Sequence, residues 1–156
     1  MNTPFNFRLT KFPNEAEILR HEVREFLSDA LKDVPKETRA ETWYGADESF
    51  SRKVGQKGWI GLNWPKEHGG AGRSSMERYV ILEEMLTAGA PVGAHWISDR
   101  QSGPLIIRYG TEKHQKELLP GILKGESYFC IGMSEPDSGS DLAALRTKAE
   151  KKGDIY

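Results

Sequence analysis

Apolar residues recur at helical spacing through most of the chain and lose that spacing after Gly125. Leu19, Val23, Phe26, Leu27, Ala30 and Leu31 place one apolar stripe on a first helix. Asn14 reads as its cap, with Glu17 three residues later completing a capping box. Val34 ends it, because a residue before proline avoids helical angles. The polar stretch 36–45 reads as a linker. A short helix follows with Phe50 and Val54 inward and Gly58 as its stop. Residues 58–72, GWIGLNWPKEHGGAG, mix glycine with aromatics, so they predict a packed loop that pins Trp59, Leu62 and Trp64 in the core.

Ser74 with Glu77 predicts a second capping box, and Met76, Tyr79, Val80, Ile81 and Leu86 give that helix a broad apolar face. The run Ala88-Gly89-Ala90-Pro91 breaks it. Residues 92–100 read as helix again. Pro104 opens a further helix that Gly110 closes, and Thr111 caps a last one that Pro120-Gly121 interrupts. Five or six helices with short connections predict a compact bundle. After Gly125 the pattern changes. Residues 127–134, SYFCIGMS, and 145–150 read as strands, and Ile155-Tyr156 as the start of a third. The expected fold is mainly α: a helical domain over 1–125, then the first strands of a β-domain over 126–156.

Composition narrows the function without naming it. A hydrophobic share of 37% against 29% charged residues is a globular balance, which sets aside a disordered chain. With 22 basic and 23 acidic residues no basic excess points to nucleic acid, and no apolar run reaches a membrane span. Met1 to Thr10 carries no leader pattern. The single cysteine, Cys130, makes an intrachain disulfide impossible and suits a reducing cytoplasm. His21, His68, His95 and His114 lack metal-ligand spacing and read as surface or helix-packing groups.

The segment 132–141, GMSEPDSGSD, holds the chemistry. It offers hydroxyls at Ser134, Ser138 and Ser140, and Gly139 lets backbone approach a ligand. Its amides can form a nest for a phosphate or an electron-rich heterocycle. Read from its residues alone, the segment is more readily a surface turn with Asx and hydroxyl caps. The order Ser134-Glu135-Pro136, Gly139-Ser140-Asp141, Leu142-Ala143-Ala144, with Trp64-Pro65 to Gly70, Tyr109-Gly110-Thr111 and Leu119-Pro120 upstream, resembles the acyl-CoA dehydrogenase family over most of the chain.

That resemblance implies the N-terminal portion of an FAD-dependent enzyme that desaturates an acyl-CoA thioester to the trans-2-enoyl-CoA. It implies that Met133 and Ser134 face the flavin pyrimidine edge and that Ile131 borders the ring. Gly139 and Ser140 would lie near cofactor and substrate, with Ser140 contacting either. Asp137 and Ser138 stand where many members carry smaller residues. The helix at 92–100 corresponds to one that closes the acyl pocket, so Trp96 would set its depth, and Asp99 or Arg100 would admit a polar or bulky acyl group. The other reading of those residues is Trp96 as core and Arg100 as a solvated or paired cation. The family's carboxylate base has no counterpart here and is expected beyond Tyr156, which would leave this chain inactive alone. Glu135 holds a structural place in the signature. The implied partners are an acyl-CoA, an electron-transferring flavoprotein and further subunits in a homo- or hetero-oligomer. An acyl-CoA oxidase or flavin monooxygenase of the same fold, or a short non-catalytic subunit of a heteromer, are the alternatives.

Overall fold

The computed structural model describes residues 11–156. Expectations for Met1 to Thr10 lie outside the described residues. Helix α1 (Asn14–Ala30) buries Leu19, Val23 and Leu27 against α4 (Ser75–Thr87). Pro13, not Asn14, takes its N-cap position, with no side-chain cap. Proline is locked near an extended entry, so Asn14 becomes the first helical residue and Glu17 pairs with Arg20 instead (3.2 Å). Across the α1–α4 seam the buried Glu84 carboxylate receives Arg24 at 2.7 Å and also Arg20. Those guanidinium groups, Arg24 first, outweigh desolvation and hold Glu84 below the usual carboxylate range.

The stretch 36–45 is not a linker. It folds as α2 (Lys36–Ala40) and a 3₁₀ turn (Thr42–Tyr44). Apolar periodicity could not reveal α2, because the helix buries no residue. The Arg39 guanidinium ties it down by donating to the Ala88 carbonyl at 2.7 Å. Helix α3 (Glu48–Gln56) carries Phe50 and Val54 into the core, where Trp59, Leu62 and Trp64 join them as the packed loop predicts. The Ser74–Glu77 capping box starts α4 as expected. After the break at Ala88–Pro91 come α5 (Gly93–Ile97), a π-turn (Ser98–Ser102) and α6 (Gly103–Tyr109).

Helix α7 (Glu112–Leu123) is capped by Thr111 and runs through Pro120. Leu119 and Ile122 are both buried, and burying a pair on either side of the proline outweighs the hydrogen bond it removes. Seven α-helices therefore stand among the described residues, and no strand does. Residues 127–134 and 145–150 carry no ladder, and Ile155 enters only an isolated bridge with Lys152. A strand exists through its partner. Here the backbone at 127 and 129 bonds the Ser98 side chain, and that at 146 and 147 bonds the Glu135 carboxylate.

Candidate functional site

The helix run from α5 to α6 positions one wall of the site. In the π-turn Gly103 N–H bonds back to the Ser98 carbonyl, so one residue is added to the turn. That brings Gly103 against the Trp64 indole, where a Cβ would lie 2.1 Å from the ring. Asp99 points inward from the same turn. Its carboxylate accepts Gly61 N–H at 2.8 Å and Arg78 at 2.7 Å, so it is not free to meet a ligand. His95 is buried too. Its Nδ1 lies 2.8 Å from the Ser51 hydroxyl, and burial pushes its pKa down to about 4.

Trp96, half-buried and packed on the edge of the core, and Arg100, exposed, lie on the other side of this run. The Arg100 guanidinium lies over the Trp96 ring, 4.5 Å from its centre, and is exposed with no acidic partner among the described residues. Gly93 N–H donates to the Gly45 carbonyl at 2.8 Å, beside the isolated bridge Ala46–Val92, which fastens the turn at 42–46 to the start of α5. A Cβ on Gly93 would sit 2.7 Å from the Tyr44 carbonyl, so glycine permits the approach. The fastening brings Trp43 to 6.1 Å from Trp96, and Tyr44 lies tilted against Trp43 with ring centres 4.1 Å apart. With Phe129, Cys130 and Ile131 these aromatics line an open concavity of about 310 Å³.

The loop beyond it is built around Glu135. Its carboxylate accepts Arg146 N–H at 2.9 Å, Thr147 N–H at 2.7 Å and the Thr147 hydroxyl. Those donors, the hydroxyl foremost, hold it below the usual carboxylate range. Glu135 is thus a staple of the loop, as its place in the signature implies. Ser138 is buried and donates to the Asp141 carbonyl at 2.5 Å. Ile131, Met133, Ser134, Gly139 and Ser140 are all exposed. The Ser134 and Ser140 hydroxyls and the Met133 N–H have no hydrogen-bond partner among the described residues, and nothing lies within 4 Å of a Cβ built on Gly139.

The structure therefore brings Trp96 and Ile131 to one concavity with Arg100 at its edge. Met133, Ser134, Gly139 and Ser140 lie on the loop that follows and do not line it. Sequence reasoning missed Trp43 and Tyr44. The available signal was an adjacent aromatic pair inside an otherwise polar stretch. It also missed Ser98, which no periodicity marks.

The family described as acyl-CoA dehydrogenase, N-terminal domain, matches residues 13–126. Acyl-CoA dehydrogenase FadE26 of Mycobacterium tuberculosis is 36% identical over 154 residues, which is 96% of this chain and 38% of that protein. Among solved structures, the Tcur3481-Tcur3483 steroid ACAD aligns with a TM-score of 0.80 at 36% identity, over 92% of this chain and 38% of its own. The ChsE4-ChsE5 complex from Mycobacterium tuberculosis aligns with a TM-score of 0.80 at 36% identity, over 94% of this chain and 37% of its own. The chain spans well under half the length of these relatives.

Proposed function

The chain belongs to the acyl-CoA dehydrogenase family, and from that premise we propose that it supplies the helical wall and flavin loop of an enzyme that desaturates acyl-CoA thioesters. Residues 1–125 form the helical domain in this reading, and 126–156 lead into the β-domain. The residues present suit FAD. Unspent donors at Met133 and Ser134 stand beside the exposed apolar side chains of Ile131 and Met133, and Gly139 leaves backbone open to approach. When bound, FAD supplies the acceptor for the β hydride of the substrate. Met133 N–H and the Ser134 hydroxyl would donate hydrogen bonds to the heterocycle, and Ile131 would supply an apolar border for it. The Ser140 hydroxyl meets cofactor or thioester.

Trp96 and Arg100 close the far end of the acyl pocket, with Trp43 and Tyr44 as neighbours. Flat aromatic walls with a free cation at the rim suit a bulky acyl group bearing a polar end. No residue of this chain is assigned the α proton. Glu135 and Asp99 are spent on structural donors. We place the base beyond Tyr156, so this chain alone is inactive. The enzyme works in the cytoplasm, passes electrons to an electron-transferring flavoprotein, and assembles as a homo- or hetero-oligomer. The paired names of the two solved relatives support a heteromer.

The observation that supports this reading is the concavity that Trp96 and Ile131 both line, where the α5 side chain and the segment after Phe129 stand side by side. The test is anaerobic titration of the full-length protein with acyl-CoAs of varied length and ring content. Bleaching of a bound flavin is expected. A protein purified without flavin, or a flavin that no acyl-CoA bleaches, would refute it.

A further inference from the structure

Ser98 has no exposed surface and sits at the head of the π-turn, two residues beyond Trp96 and two before Arg100. Its hydroxyl donates to the Ser127 carbonyl at 3.1 Å and accepts Phe129 N–H at 3.0 Å. Upstream, Glu126 and Ser127 N–H both bond the Gly121 carbonyl at the end of α7. From there to Glu135, among the described residues, the bond to Phe129 is the last hydrogen bond that ties the chain to the helices. Phe129 packs on the core, and Ile131, Met133 and Ser134 follow it in an unpaired segment.

We propose that Ser98 is a positioning residue that sets the flavin loop against the acyl-pocket wall. The inference rests on the function proposed above. Trp96, near the end of α5, and Arg100, in the π-turn, flank Ser98 on the helical run from which it reaches inward. One side chain therefore fixes the offset between the two surfaces that must hold cofactor and acyl group together. The two-point bond sets the register of residues 127–129. A slip there passes directly to Ile131 and Ser134, because among the described residues no ladder bond intervenes. Positioning errors near 1 Å are enough to weaken such sites.

The test compares Ser98→Ala with wild type in the full-length holoenzyme. The substitution leaves the Phe129 N–H and Ser127 carbonyl without their partner, so flavin is expected to bind about tenfold more weakly. Its visible absorption bands should shift as well, a signature that lost helix stability alone would not produce. Ser98→Thr, which keeps the hydroxyl, should restore both. A second measurement needs no variant: in wild type the Phe129 amide should exchange as slowly as the amides of α7. Unchanged flavin affinity and spectrum in Ser98→Ala, or a Phe129 amide as labile as that of Gly132, would overturn the inference while the function stands. A wild-type protein without flavin would instead overturn the function and this inference with it.

Discussion

Acidification should destabilise this chain through His95 before its carboxylates respond. The imidazole is buried against Phe50 and bonded to Ser51, and desolvation lowers its pKa from 6.5 to about 4, the nearby Asp99 opposing only in part. Below 6.5 the unfolded chain takes up a proton at this position, whereas the folded chain takes none until about 4. The unfolded state binds more protons across that window, so stability falls as pH falls. At 1.36 kcal/mol per unit the full loss is about 3 kcal/mol, of which about 2 kcal/mol is gone between pH 8 and pH 5. Glu77, Glu84 and Glu135 also lose stabilisation in acid, but their window opens only near the ordinary carboxylate value of 4.5. The assay is urea unfolding followed by tryptophan fluorescence at pH 8, 6.5 and 5. A slope of 1–3 kcal/mol per molar urea converts the loss into a midpoint shift of about 1 M. His95→Asn can keep a bond to Ser51 and cannot titrate. It should be less stable than wild type at pH 8 through lost packing, yet nearly flat between pH 8 and 5. If both proteins lose the same stability over that range, the buried neutral histidine is not the cause.

Asp99→Asn should cost about 3 kcal/mol in urea unfolding, because it leaves the Arg78 guanidinium in a largely buried place without its counter-charge; a change under about 1 kcal/mol would show the pair to be dispensable. Gly103→Ala drives a methyl into the Trp64 ring and should cost about 2 kcal/mol, read as a lower thermal midpoint. In the full-length enzyme Trp96→Ala should raise the kcat/KM ratio of longer over shorter acyl-CoAs at least about tenfold, and an unchanged ratio would remove Trp96 from the pocket. Ser134→Ala should slow flavin reduction by acyl-CoA about 100-fold in stopped flow with little change in stability, and a wild-type rate would refute the donor role.

The chain's own pattern determined what depends on neighbours a few residues apart. The Ser74–Glu77 capping box, the Thr111 cap and the inward faces of α1 and α3 are local hydrogen bonds or single-helix periodicities. The burial of Trp59, Leu62 and Trp64 was legible because large aromatics among glycines have few stable places outside a core. The family was legible from several motifs agreeing in order, the serines, glycines and acids of 132–141 together with Trp64-Pro65, Tyr109-Gly110-Thr111 and Leu119-Pro120 upstream, and Glu135 is spent on loop structure. What the tertiary structure decided depends on partners distant in sequence. Helix α7 passes Pro120 because Leu119 and Ile122 meet the core, and α2 holds because Arg39 reaches Ala88. Asp99 is withdrawn from the site by Gly61 and Arg78, while Trp43 is delivered beside Trp96 through the Gly93 contact with Gly45. Residues 127–134 have strand-forming side chains but no ladder, since β-propensity describes fit to a pleated surface and cannot supply the neighbouring strand. Their backbone is claimed instead by Ser98, a side chain from a turn about thirty residues upstream.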